Sequence, residues 1–164
     1  MVRPLMVSAC LAGVCCVYDG THNLRPTVER LCKEGKIFLF CPEILGGLKV
    51  PHPPSEMRGG DGFDVLKGSA VVVSRDGEDV TKFFIRGARR SLEFAWRHGV
   101  KKAVLKAKSP SCGCGEVFDG TFSKTLIAGF GVTAALLKQN GIEVINDVDF
   151  LKNKSEVRSR KSDV

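Results

Sequence analysis

Three cysteines stand where a protein places reactive groups. Cys10 follows the apolar run Leu5–Ala9, Cys41 follows Ile37–Phe40, and Cys112 lies just beyond Ala103–Leu105. Each therefore sits in the loop that leaves a buried strand. In a parallel sheet all carboxyl ends share one edge, so loops far apart in sequence converge there. The expectation is a three-thiolate site assembled in space. Thiolates without a neighbouring histidine suit soft or borderline metals: an iron–sulfur cluster with one iron left open, or a Cys-rich zinc site. The wide spacing favours the cluster, because structural zinc sites usually draw their ligands in C-x₂₋₄-C pairs. The close pairs Cys15-Cys16 and Cys112-Gly113-Cys114 keep zinc as the alternative.

The chain holds seven cysteines in all. Cys32, next to Leu31 and one helical turn from Val28, reads as a small buried apolar thiol. Cys15, Cys16 and Cys114 adjoin the proposed site and read as neighbours of its ligands or as spare thiols.

The elements that must position these residues alternate between short apolar runs and longer helical stretches. That alternation predicts an α/β fold: one three-layer domain with a mostly parallel sheet and strand-end loops converging on a cysteine site. Strands are expected at Leu5–Ala9, Ile37–Phe40, Ala103–Leu105 and Ile142–Ile145. Pro26 opens a helix through Glu34 that Gly35 ends, and Asp79 caps a long helix closed by His98-Gly99. In that long helix Val80, Phe83, Phe84, Ala88, Leu92, Ala95 and Trp96 form an apolar stripe expected to face the core. Asp64–Leu66 and Ala70–Val73 are expected to pair as an edge hairpin. Residues 46–62 hold Pro51-His52-Pro53-Pro54 and no periodicity, so a long functional loop is expected there. A last helix covers Gly131–Asn140, and Asp147 caps a final short turn.

A chain of 164 residues buries a core without needing disulfides or metals for stability. No run of eighteen apolar residues marks a membrane span, and the start carries no signal pattern, so a cytoplasmic protein is expected. An odd cysteine count in a reducing compartment points to metal binding or chemistry over bridges. The 25 Lys and Arg outnumber the 18 Asp and Glu, for a net charge of +7. Residues 152–164 hold five of the basic and two of the acidic groups. This basic tail reads as disordered and separate from a catalytic domain over 1–151; it leaves nucleic acid open as a partner, though a small molecule is favoured.

Several motifs, in register, carry a family resemblance. Ser8-Ala9-Cys10-Leu11-Ala12-Gly13, Tyr18-Asp19-Gly20, Cys41-Pro42-Glu43-Ile44-Leu45-Gly46-Gly47, Gly59-Gly60-Asp61-Gly62 and Ser109-Pro110-Ser111-Cys112-Gly113 are followed by Phe118-Asp119-Gly120 and Gly131-Val132-Thr133. The chain resembles the DUF523 family over roughly residues 5–146. Characterised members are thiouracil desulfidases that hold a [4Fe–4S] cluster by three cysteines.

The resemblance implies that Cys10, Cys41 and Cys112 hold such a cluster and that Glu43 and Ser109 are the catalytic polar groups. It implies removal of sulfur from 2- or 4-thiouracil, or its nucleoside, with release of hydrosulfide. The open iron would act as a Lewis acid without net electron transfer, Glu43 as general base for water, and Ser109 as a hydrogen-bonding group. His22, Asp61 and Ser111 are the expected substrate contacts, whereas His52 is a loop residue with no partner visible in the sequence. The competing reading is a zinc-stabilised RNA-binding or sulfur-carrier protein.

Overall fold

The computed structural model describes residues 4–35 and 37–162, with side chains as far as residue 154. In chain order its first half contains β1 (Leu5–Ser8), α1 (Pro26–Lys33), β2 (Ile37–Phe40), α2 (Pro42–Leu45), β3 (Ser55–Arg58), α3 (Gly62–Lys67) and β4 (Val71–Ser74). The second half contains α4 (Thr81–Arg97), β5 (Lys102–Leu105), β6 (Cys114–Phe118), β7 (Leu126–Phe130), α5 (Val132–Gln139), β8 (Glu143–Asn146) and α6 (Asp147–Ser162).

The expected α/β architecture is what forms. Four strands make a parallel sheet in the order β2-β1-β5-β8. Ser8 pairs with Phe40, Val7 with Val104, and Val104 with Ile145, so the carboxyl ends line up along one edge. The two central strands are buried on both faces, which is why they read as unbroken apolar runs. Met6, Ala103 and Leu105 pack with Leu92 and Ala95 of α4 and Ala134 and Leu137 of α5. On the other face Val7 and Val104 pack with Val28 of α1 and Phe150 of α6. From β1 the chain first moves outward to β2, then returns past β1 to β5. The strand order therefore reverses between β1 and β5, the position where open α/β sheets leave a crevice for ligands.

Two antiparallel ribbons flank the sheet, β3 with β4 and β6 with β7. The expected hairpin does not form. Asp64–Leu66 belongs to helix α3, whose start is closed by a capping box in which Asp61 accepts from the Phe63 N–H and Asp64 from the Asp61 N–H. β4 pairs instead with β3, inside the stretch expected to be irregular. The buried Glu56 disguises β3 in the sequence; its carboxylate accepts the Gly120 and Phe122 N–H groups at 2.9 and 3.0 Å.

The α4 stripe is core at Val80, Phe84, Ala88, Leu92 and Ala95, but Trp96 is 60% exposed. Ala95 takes the inward position, and one residue further turns the side chain about 100° away from the core. Cys32 is only half-buried. The helix after Asp147 runs to Ser162 and is longer than the short turn expected. The backbone of residues 152–162, expected as part of a disordered tail, belongs to this helix, and side chains from 155 onward lie outside the described residues. No helix among the described residues is long and apolar enough to cross a membrane.

The seating of α2 on α4 has a direct bearing on the site. A Cβ on Gly46 would run into the Phe83 carbonyl, and one on Gly87 into the Pro42 carbonyl. The two backbones touch because neither glycine carries a side chain, and α2 begins right after Cys41. We expect Gly87→Ala to destabilise the fold by about 1–3 kcal/mol through overpacking, read as a lowered Tm, and to displace α2.

Candidate active site

Cys10 lies in a 3₁₀ turn, Ala9–Ala12, directly after β1. Its loop is pinned by two backbone bonds, from Asn23 N–H to the Cys10 carbonyl at 2.9 Å and from Arg25 N–H to the Leu11 carbonyl at 2.8 Å. Cys41 is the residue between β2 and α2, with Pro42 opening the helix. Cys112 lies in the loop after β5, seated on the first turn of α5. There the N–H groups of Val132 and Thr133 donate to the Pro110 and Ser111 carbonyls, each at 2.9 Å. A helix start leaves its first N–H groups without partners, and the cysteine loop supplies them.

Behind these loops stands a buried carboxylate. Asp147 is 1% exposed and accepts from Arg25 Nε at 2.9 Å and Nη2 at 2.8 Å, and from the Ala107 N–H at 2.9 Å. It thereby ties the exit of β5 to the entry of α1. The expectation that Asp147 caps a turn understates this long-range role.

The three loops converge as expected. Cys10, Cys41 and Cys112 all line one cavity of about 530 Å³, together with Cys16, Glu43, His52, Ser109 and Ser111. Hydrogen bonding to Cys16 holds both the Cys10 and Cys41 thiols below the ordinary cysteine value. Asn23 and the Lys106 charge add to this at Cys10, as do the Ile44 and Glu43 backbone N–H groups at Cys41. The same bonds push Cys16 upward. Burial pushes the Cys112 thiol up, against a hydrogen bond from Ser8. Cys114 lies half-buried with its thiol 3.6 Å from the Val144 carbonyl, and Cys15 is exposed.

A chain of polar contacts runs beside the thiols. Ser109 Oγ accepts the N–H groups of Ser111 and Cys112 at 3.2 and 3.1 Å. Those bonds occupy its acceptor side, leaving its proton for Ser111 Oγ at 3.0 Å. Ser111 Oγ donates in turn to Glu43 Oε1 at 3.1 Å. The other carboxylate oxygen, Oε2, lies 3.1 Å from His52 Nε2. The hydrogen bond to Glu43 raises the His52 value above that of an ordinary imidazole.

Of the residues expected from the sequence, the structure gathers Cys10, Cys41, Cys112, Glu43, Ser109 and Ser111. Ser109 holds the Cys112 loop, while Ser111 is the hydroxyl that reaches Glu43. Two expected substrate contacts lie elsewhere. His22 is exposed and accepts the Leu24 N–H through Nδ1, a local bond two residues long. Asp61 caps α3 and accepts the Phe130 N–H at 3.0 Å, so its carboxylate is committed to structure. Cys16, read from the sequence as a neighbour of the ligands, lines the cavity, whereas His52 joins the site without having been singled out for it; its Pro-rich setting was the available signal.

Among the described residues no three His, Cys, Asp or Glu side chains close around a single-ion position. Cys10, Cys16, Cys41 and Cys112 border one shared cavity, an all-sulfur donor set that suits a soft or borderline metal centre. Fold and site together define a doubly wound α/β protein with a thiol-lined cavity at its switch point.

Similarity to known proteins refines that class. The family model for 2-thiouracil desulfurase matches residues 5–149, and the chain belongs to this family. The uncharacterized protein YbbK of Bacillus subtilis (strain 168) is 46% identical over 143 residues, covering 87% of this chain and 95% of its own. A solved structure, the [4Fe-4S]-dependent thiouracil desulfidase TudS, matches with a TM-score of 0.81 at 38% identity, over 96% of this chain and 98% of that one.

The two serines should separate experimentally. Ser109→Ala strips the acceptor from two N–H groups of the cysteine loop and should cost about 1–3 kcal/mol. Ser111→Ala removes no backbone partner and should cost less; urea unfolding of both variants checks the order.

Proposed function

We propose that this chain is a [4Fe–4S]-dependent desulfidase that removes sulfur from a thiolated pyrimidine base or nucleoside, giving the oxo compound and hydrosulfide. One observation carries the reading: Cys10, Cys41 and Cys112 border a single cavity beside the Glu43 carboxylate, in a chain of the 2-thiouracil desulfurase family. The match to a [4Fe-4S]-dependent thiouracil desulfidase supports the cofactor and the substrate class. The extent of the family match also supports residues 1–151 as the catalytic unit.

In this proposal the three cysteines hold the cluster. When bound, it supplies a Lewis-acidic iron suited to a soft thiocarbonyl sulfur. The remaining work belongs to the chain. Glu43 accepts a proton from the water that attacks the thiocarbonyl carbon, and then returns that proton to the departing side. Ser111 holds the Glu43 carboxylate, and Ser109 holds Ser111 and the Cys112 loop. Water supplies the new oxygen and gives up both protons, one by way of Glu43 and the other to solvent; the C–S bond breaks with its electron pair on sulfur, and hydrosulfide leaves with no net oxidation. His22 and Asp61 have no part in these steps.

Anaerobic preparation with iron and sulfide tests the cofactor. The expected product is a brown protein that bleaches in air; a colourless one carrying about one zinc would overturn the reading in favour of a zinc-stabilised protein. Replacing Cys10, Cys41 or Cys112 singly with Ser should each abolish the colour. Glu43→Ala should keep the colour and lower kcat for sulfide release from 2-thiouracil or 4-thiouracil by about 10²-fold or more. A normal rate in that variant would remove Glu43 from the mechanism.

A further inference from the structure

Both oxygens of Glu43 are engaged, one by Ser111 and the other by His52, and the His52 contact is supported from several sides. Its ring is turned by a second bond, from Nδ1 to the Pro53 carbonyl at 2.9 Å. A carbonyl only accepts, so Nδ1 carries a proton and Nε2 is the atom presented to Glu43. The contact to Oε2 then needs one proton shared by the pair, and it holds wherever that proton sits: an Nε2–H donates to the carboxylate, or a carboxyl O–H donates to the bare nitrogen.

The backbone around the ring is restrained as well. Pro51, Pro53 and Pro54 each fix φ, and the His52 N–H donates to the Tyr18 carbonyl at 2.8 Å. That bond moors the Pro-rich segment to the loop that follows Cys10. The side chains of His52 and Glu43 are only 10% and 15% exposed. Without His52 the carboxylate would keep a single anchor at Oε1, and the terminal torsion of a glutamate is broad.

From this geometry we infer that His52 is a positioning residue for the reaction: it locks the Glu43 carboxylate in the orientation set by Ser111 and acts only through Glu43. The inference rests on Glu43 being the general base.

His52→Ala should retain the brown colour and the iron and sulfide content of the wild type. Its kcat for the thiolated base should fall about 10- to 100-fold, with KM changed less than about twofold. His52→Gln, whose amide reaches the same oxygen, should recover most of the loss. In a Glu43→Ala background His52→Ala should cost nothing further, and a crystal structure of His52→Ala should show the carboxylate turned away from Ser111. If Glu43→Ala is inactive but His52→Ala runs at the wild-type rate, His52 has no positioning role. The role is equally overturned if the second substitution adds a full loss in the Glu43→Ala background, or if the carboxylate stays in place. If Glu43→Ala itself is fully active, the base assignment fails, and the crystal structure alone still decides whether His52 holds the carboxylate.

Discussion

Everything at the site follows from the parallel alignment of β1, β2 and β5. Because the three strands run the same way in close register, residues 10, 41 and 112 come to one edge though they lie far apart in sequence. A parallel sheet must be covered on both faces, which is the work of α4 and α5 on one side and α1 and α6 on the other. Convergence has a local cost, since each thiol-bearing loop exposes backbone groups that need partners. The Cys10 loop finds them in residues 23 and 25, and the Cys112 loop finds them in the first turn of α5. At Cys41 the chain turns at once into α2.

The sequence was most legible where one physical signal dominated. Buried central strands made of apolar residues, a proline at a helix start and a glycine past a helix end all read correctly, and so did the three thiols at strand ends. It was least legible where a few residues form a ribbon by pairing with distant ones. β3 contains a buried glutamate whose partners lie more than sixty positions away, and β6 with β7 show no alternation long enough to distinguish them from loop. Within the site, Glu43 was visible only through the family resemblance. The division of labour between Ser109 and Ser111 was not, because it depends on which hydroxyl is taken up by backbone N–H groups and which one reaches Glu43. Asp61 misled for the opposite reason: a carboxylate flanked by glycines suits a cap as well as a pocket.

Electrostatics inside the fold is organised around a few buried carboxylates with defined partners. Asp147 is satisfied by a guanidinium and a backbone N–H and cements the scaffold. Glu56 is satisfied by two N–H groups and holds the 120–122 turn against β3. Glu43 differs from both in its partners, a hydroxyl and an imidazole, groups that can exchange protons. Three acidic groups thus divide into structural and chemical ones by the nature of what they touch.

The Pro51–Pro54 segment has a consequence for the energetics of substrate capture. Three prolines in four residues narrow the conformations open to the unfolded chain, so ordering this stretch costs less entropy on folding. The segment is held by its own prolines and by the His52 N–H bond to the Tyr18 carbonyl. In the proposed reaction, binding energy from a small substrate, which offers few contacts, is then free to be used on the reacting atoms instead of on arranging the pocket.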